Sequence, residues 1–197
     1  VDTETWSAQA LYSTQSGELR DLAVDPSLSR LLVASAGDHS LLPIFSETGE
    51  GAPRLPLGVE VDEVIVNPAQ ERLYVSSSSG WVHILDRRTY DPIARVYGGR
   101  HISLDAERGL LYAGDPRVPA VTQFDAQSGE AVSSIERAGK PRADPASGQV
   151  VIVNRKFYVH DAESGRPVSE LEPGIGQPPV ECPGCYYTVG IEAVIDA

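Results

Sequence analysis

Hydrophobic residues along this chain fall into short stretches, each bounded by Gly, Pro, Asn, Asp or Ser. The clearest example is the segment 61–99, VDEVIVNPAQERLYVSSSSGWVHILDRRTYDPIARVYGG. It holds an apolar stretch that ends at Asn67-Pro68, followed by RLYVSS, WVHILD and PIARVY. Short runs rich in Val, Ile, Leu and Tyr between turn-forming residues are typical of β-strands. The segment therefore predicts a meander of four antiparallel strands.

The same order of elements recurs with a period near 40 residues, which is typical of repeat architectures. Two markers measure the period, and we call them the first-strand and third-strand markers because each ends that strand of its unit. The first-strand markers, 38 to 42 residues apart, are Asp25, Asn67, Asp105, Asp144 and, by alignment, Cys182. The third-strand markers, 35 to 40 residues apart, are Ser46, Asp86, Asp125, Asp161 and Asp196.

The repeat predicts an all-β fold, a single five-bladed β-propeller with four-stranded antiparallel blades over residues 1–197. The expected blades span 19–58, 59–99, 100–139, 140–176, and 177–197 together with 1–18. In the last blade the N-terminal strand would be the outermost strand and would close the ring, which hides a sheet edge. A fragment of a larger propeller is one alternative. A β-sandwich is another, but a sandwich has no reason to repeat Asp-Pro or Asn-Pro at this spacing.

Residues such as NPAQERLYVSSSSGWVHILD in the second unit resemble the YVTN-type β-propeller repeats of bacteria. The resemblance extends over almost the whole chain, strongest in the second unit and weakest in the fifth. Propellers of that family usually have seven blades, so a five-unit chain departs from the pattern. The resemblance implies a propeller, and it also suggests a docking subunit for a quinone- or haem-dependent redox system.

Charge and hydropathy limit the partners that the chain can have. The 28 acidic residues outnumber the 16 basic ones, which gives a net charge of −12. This charge opposes binding to nucleic acid or anionic lipid. No apolar run approaches the roughly 18 residues of a membrane span.

Cysteine usage indicates the compartment. Methionine is absent, position 1 included, and the only two cysteines are Cys182 and Cys185. A processed chain outside the cytoplasm (periplasmic, cell-surface or secreted) is therefore expected, with a disulfide between the two cysteines. Pro183-Gly184 between them suits a type II turn that would bring the thiols together. Redox-active thiols and a metal site remain alternatives.

Charged residues cluster at the predicted start of the first strands, which line the central channel of a propeller. We define the charged mouth as Asp21, Asp62, Glu63, Arg100, His101 and Lys140. Such a cluster is a candidate site for a small polar ligand, because sites on this fold lie at channel mouths. The alternative is a set of solvated rim charges.

No catalytic residue, metal site or cofactor is predicted, because no nucleophile, base and orienting group recur together. The irregular Pro-rich segment 114–121 is a candidate contact loop, and Trp81 is expected to pack between blades. The expected function is a non-catalytic protein-binding or assembly subunit. An enzyme of lactonase or glycosidase type, acting at the channel mouth, is the alternative.

Overall fold

The computed structural model describes residues 18–171, which form four antiparallel sheets of four strands each. Sheet 1 comprises β1 (Leu19–Asp25), β2 (Arg30–Ser35), β3 (Ser40–Phe45) and β4 (Leu55–Pro56). Sheet 2 comprises β5 (Val61–Asn67), β6 (Arg72–Ser77), β7 (Trp81–Asp86) and β8 (Pro92–Tyr97). Sheet 3 comprises β9 (His101–Asp105), β10 (Leu110–Gly114), β11 (Val121–Asp125) and β12 (Ala131–Ile135). Sheet 4 comprises β13 (Lys140–Asp144), β14 (Gln149–Val153), β15 (Phe157–Asp161) and β16 (Pro167–Leu171). The all-β prediction is confirmed.

The sequence markers are turn-capping residues. A first-strand marker accepts the backbone N–H three residues further on, as Asp105 does from Arg108 at 3.0 Å. The third-strand markers of sheets 2, 3 and 4 do the same, as Asp125 does from Ser128 at 2.7 Å, whereas Ser46 follows the end of β3 at Phe45. A short polar side chain that accepts from a nearby backbone N–H favours a turn over continued strand. The 40-residue period is therefore a period of capped turns.

Each of these turns also places a residue in the left-handed region, and glycine is not always present there. In the turns that follow the first strands these residues are Ser29, Glu71, Gly109 and Gly148. In the turns that follow the third strands they are Gly49, Tyr90, Gly129 and Gly165. Sheet 2 thus keeps the backbone geometry at Glu71 and Tyr90 without glycine, although a side chain there costs energy.

The sheets pack face to face in chain order, with their first strands side by side. One apolar cluster joins sheets 2 and 3, and similar clusters join sheets 1 and 2 and sheets 3 and 4. Polar bonds reinforce two of the junctions. The Tyr74 hydroxyl donates to the carbonyl of Ala126 at 2.8 Å, and that of Tyr112 donates to the carbonyl of Ala162 at 3.3 Å.

The junction between sheets 1 and 2 uses a different link. Leu32 stands where sheets 2 and 3 have Tyr74 and Tyr112, and Arg87 stands where sheets 3 and 4 have a small alanine. The Arg87 guanidinium is 1 % exposed and lies 2.6 Å from the carboxylate of Asp25 in sheet 1. It also contacts Glu71 at 2.8 Å. A buried ion pair thus replaces the tyrosine–carbonyl bond.

An even number of antiparallel strands returns the chain to the same end of each sheet, so the first strands all begin at one end. We call that end the loop face; it carries the turns between second and third strands and the connections between sheets. The opposite face carries the capped turns and the Arg87 ion pair. The predicted fifth blade, with Cys182, Cys185 and Trp6, lies outside the described residues.

Candidate functional site

The charged mouth lies on the innermost strands of the sheets, at or near the loop face. Asp21 is on β1, Asp62 and Glu63 are on β5, His101 begins β9, and Arg100 directly precedes it. Strands β1, β5, β9 and β13 contact one another in that order. The predicted position on the first strands is therefore where the structure places these residues.

Side-chain oxygens of the first strands bond to the backbone of the next sheet. Asp21 Oδ2 accepts the N–H of Val64 at 2.8 Å. Glu63 Oε2 accepts the N–H of Ile102 at 2.7 Å. Ser103 Oγ does the same in sheet 3, accepting a backbone N–H of β13 at 2.8 Å. These three bonds form a polar belt along the inner strands, and two of its members belong to the charged mouth.

Burial raises the pKa of Asp21, and this effect outweighs the bond from Val64, which lowers it. A carboxylate that is removed from water loses hydration that one N–H does not replace. Asp21 is therefore a connector between sheets 1 and 2 rather than a group turned freely towards solvent.

Glu63 and His101 form a carboxylate–imidazole pair. His101 Nδ1 lies 2.8 Å from Glu63 Oε1, and the two side chains are 11 % and 21 % exposed, His101 being the more buried. Because a carboxylate only accepts hydrogen bonds, Nδ1 carries the proton and donates it. The Glu63 backbone N–H donates to Ser76 Oγ at 3.0 Å, and that hydroxyl donates to the carbonyl of Arg100 at 2.6 Å. The imidazole is thus held in one orientation.

Asp62 and Arg100 form an ion pair next to Glu63 and His101, with Arg100 Nε 3.3 Å from Asp62 Oδ2. Asp62 is 5 % exposed, and burial raises the pKa of its carboxyl while Arg100 opposes that rise. Arg100 thus compensates the charge of Asp62, while the whole mouth carries three carboxylates against the two permanent cations Arg100 and Lys140.

Lys140 stands apart from the rest of the mouth. Within residues 18–171, no hydrogen bond or ion pair joins it to the other five residues. It lines a shallow cavity of about 170 Å3 together with Pro116, Val153 and Asn154. The structure therefore places Lys140 beside the loop between β10 and β11.

That loop, residues 115–120, is fixed by one buried acid. Asp115 is 3 % exposed and accepts the backbone N–H of Arg117 at 2.8 Å. Its two oxygens also bind the Arg117 guanidinium, at 2.9 and 2.7 Å. The bond to Arg117 lowers the pKa of Asp115 to about 2. The Arg117 side chain remains 68 % exposed.

The remaining histidines and tryptophan occupy other places. His160 Nδ1 lies 3.0 Å from the carbonyl of Gly165, and burial lowers the pKa of His83. His39 is exposed in a turn of the loop face. Trp81 is partly exposed and lies beside Tyr97, so it does not pack fully between sheets. Within residues 18–171, no three side chains of the His, Cys, Asp and Glu types are grouped as metal ligands.

Sequence reasoning singled out the loop of residues 114–121 but not the Asp115–Arg117 clasp. The spacing of Asp115 and Arg117 was only a weak indication of this clasp, because an acid can bind an arginine two residues further on only when the backbone between them forms a turn. Pro116 supplies that turn. The neighbourhood of Trp81 and Tyr97 was also missed, because it depends on the register of β7 and β8.

Among residues 18–171, no helix is both long and apolar enough to cross a membrane. No family model matches the chain, so the YVTN-type resemblance stays without independent support. No curated protein matches it either.

Solved structures do match, and they share the fold. The Neurospora crassa Pan2 WD40 domain is 18 % identical with a TM-score of 0.65, over 76 % of this chain and 52 % of that one. Kuenenia stuttgartiensis hydrazine synthase is 18 % identical with a TM-score of 0.68, over 84 % and 52 %. BamB from Moraxella catarrhalis is 14 % identical with a TM-score of 0.62, over 81 % and 54 %. This chain therefore spans about half the length of these structures, and its four described sheets have the β-propeller architecture to which WD40 repeats belong.

Proposed function

We propose that this protein is a non-catalytic binding or assembly subunit that acts outside the cytoplasm and engages a protein partner through its loop face. The observation that carries the proposal is the clasped loop. Asp115 fixes the loop from beneath, while Pro116, Arg117 and Pro119 face outward. A loop that is already ordered loses little conformational entropy on binding, so more of its contact energy becomes affinity.

The charged mouth supports polar docking for a related reason. Its carboxylates are held by neighbouring sheets or by paired cations, as shown by the bonds of Asp21 to Val64 and of Asp62 to Arg100. Opposite charges that are already paired at a rim favour specificity and orientation over tight capture of a single ion. The mouth and the clasped loop together form one continuous candidate surface.

We further propose that residues 177–197 together with 1–18 supply a fifth blade between sheets 4 and 1. Two apolar faces support this. On sheet 1, Val33, Leu42 and Ile44 form a cluster without members from any other described sheet, and Leu22 beside them is 52 % exposed. On sheet 4, β14 and β15 alternate between residues packed on sheet 3 and residues such as Val151 on the other face. A longer chain that supplies further blades is the competing explanation.

Deletion of residues 1–14 tests the closed ring. Loss of a closing strand should expose a sheet edge and cause aggregation. A soluble deletion variant with unchanged stability would overturn closure. In the same blade, thiol titration of the non-reduced protein tests the Cys182–Cys185 disulfide, and two reactive thiols would refute both the bond and the main support for an oxidising compartment.

The binding function is tested by capture from extracts of the producing cells, with matched variants. Reversal of Arg117 to Glu should break the clasp and remove the captured partner. A reversal on the opposite face, Arg166→Glu, should leave capture unchanged. Equal capture by both variants, or capture lost only with Arg166→Glu, would contradict docking through the loop face.

The Glu63–His101 pair favours one second candidate, an enzyme of lactonase or glycosidase type at the channel mouth. A carboxylate that orients an imidazole is a common arrangement for a general base. A panel of lactones, glycosides and alcohols tests it. Turnover that disappears in the Glu63→Ala, His101→Ala double variant would replace the binding proposal with this one.

A further inference from the structure

An arginine and two aromatic side chains meet on the two outermost strands of sheet 2. Trp81 begins β7 and pairs in register with Tyr97, which ends β8. Their rings meet edge to face with centroids 5.3 Å apart. The Arg95 guanidinium lies over the Trp81 ring, 4.1 Å from its centroid. We call these three residues the aromatic–arginine cluster.

The cluster is rigid although it faces solvent. Tyr97 is 57 % exposed, yet one side of its ring rests against Gly80, where an added Cβ would lie 3.0 Å from the ring. Gly80 is itself held, because its carbonyl accepts the backbone N–H groups of Gly98 and Gly99 at 3.2 and 3.1 Å. Trp81 fixes the ring from the edge. An exposed aromatic ring that is already immobilised offers contact area at little entropic cost.

The cluster carries one cation, Arg95, on a strongly acidic protein. Among the described residues, no carboxylate lies within ion-pair distance of Arg95. Arg117 lies close enough to Tyr97 for the two groups to interact electrostatically. Ile93, on the same strand as Arg95, is 41 % exposed and extends the apolar surface. Arg117 is paired with Asp115, so Arg95 is the cation that the cluster offers on a chain whose net charge is −12.

We propose that the aromatic–arginine cluster is the anchor of the docking surface and takes an extended acidic segment of a partner protein. Apolar side chains of the segment would pack on Tyr97 and Ile93, and a carboxylate between them would pair with Arg95. Tryptophan, tyrosine and arginine are the residues that most often dominate protein interfaces. This inference rests on the proposed binding function and specifies the chemistry of the partner.

Two defined peptide pools test the partner chemistry directly. One pool consists of fluorescein-labelled decapeptides with Glu or Asp alternating with Leu or Ile; the other has Lys or Arg in place of the acids. Fluorescence anisotropy with the full chain should show binding of the acidic pool only. Equal binding of both pools, or no binding of the acidic pool up to about 1 mM, would overturn the inference.

Matched variants locate the binding. Arg95→Glu and Tyr97→Ala should each weaken binding of the acidic pool about tenfold or more, since both remove an anchor of the cluster. Arg137→Glu is the control for charge, because Arg137 stacks on Tyr158 at 4.2 Å elsewhere on the protein. Val132→Ala is the control for an exposed apolar residue, because Val132 is 59 % exposed on the corresponding strand of sheet 3. Equal losses in the controls would refute the assignment.

A spectroscopic readout separates this inference from the wider proposal. In a Trp6→Phe background Trp81 is the only tryptophan, and binding of the acidic pool should change its emission. If Arg117→Glu abolishes partner capture while Arg95→Glu and Tyr97→Ala preserve it, the binding function stands and the cluster is not its anchor. If sedimentation shows that the cluster variants dissociate a dimer of this chain, the occupant is a second copy and the inference is wrong.

Discussion

Replacement of Arg87 by alanine should destabilise the protein strongly, although the residue sits in a turn of the opposite face. Arg87 is 1 % exposed and lies 2.6 Å from Asp25, which is 0 % exposed. Removal of the arginine leaves a buried carboxylate whose nearest remaining cation is Arg30, at 4.0 Å, among the described residues. The loss of one partner from a buried ion pair costs about 3–5 kcal/mol.

The remaining contacts of Glu71 and Asp25 narrow the expected loss of stability. Glu71, the second carboxylate that binds Arg87, is 41 % exposed and still binds Arg88 after the substitution. Water screens the Arg87–Glu71 pair, so its loss adds little to the destabilisation. Arg30 and the turn that Asp25 caps retain part of the stabilisation of its carboxylate. We therefore expect Arg87→Ala to lower the free energy of unfolding by about 3 kcal/mol, at the lower end of the range.

Urea unfolding followed by tryptophan fluorescence and circular dichroism measures this loss. With a slope of about 2–3 kcal/mol/M, the midpoint should fall by roughly 1–1.5 M. Arg88→Ala is the matched control, since Arg88 binds the same Glu71 but is 59 % exposed, and it should cost less than about 1 kcal/mol. Added salt should reduce the effect of Arg88→Ala and leave that of Arg87→Ala. Equal losses in the two variants would refute the reasoning from burial.

Three further predictions concern the inner strands and the loop face. Gly99→Ala should lower the free energy of unfolding by about 2 kcal/mol, because Gly99 has a φ of +132° and an added Cβ would overlap the backbone of Gly114 in the next sheet. Gly58→Ala is the control in the same urea assay and should cost only about 1 kcal/mol, because Gly58 has a φ of +70° but open space around it. Asp21→Asn should keep the acceptor for the backbone N–H of sheet 2 and remove a buried charge, so its stability at neutral pH should equal or exceed that of the parent, whereas Asp21→Ala should cost about 1–3 kcal/mol. Because burial raises the folded-state pKa of Asp21, the parent should lose stability relative to Asp21→Asn as pH rises through that pKa. A stability difference that stays constant with pH would contradict this. The pKa of Asp115 is lowered to about 2, so the stability from its clasp with Arg117 should be complete above the usual carboxyl range and disappear as pH falls through about 2. Titration of the carboxyl group by NMR measures this pKa. A midpoint near the usual value of about 4 would show that the clasp does not form in solution.

The sheets and their order could be predicted from the sequence because turn-capping residues recur once per repeat at the ends of strands. Asp105 and Asp125 mark strand ends for a local reason, the capture of a backbone N–H within three residues, and local chemistry is visible in a sequence. The mouth residues on the first strands followed from the same markers.

What the sequence does not reveal is the partner of each polar side chain. Arg87 and Arg88 are adjacent arginines in one turn, yet only Arg87 is buried, because sheet 1 lacks the tyrosine that links the other junctions. Asp21 and Glu63 resemble exposed charges in the sequence, but each reaches the backbone of the next sheet. Both facts depend on how one sheet packs on the next, over separations of about 40 residues, and no local pattern encodes them.

We propose that the protein works by docking a partner on its loop face. Site-specific photocrosslinking in the producing cells tests this even when the partner is unidentified. A photoreactive residue is placed at Pro119, which is exposed on the loop face outside the Asp115–Arg117 clasp, or at Glu163, 81 % exposed on the opposite face. We expect a discrete crosslinked species from position 119 that is absent from position 163. The same species from both positions, or from position 163 alone, would contradict docking on the loop face.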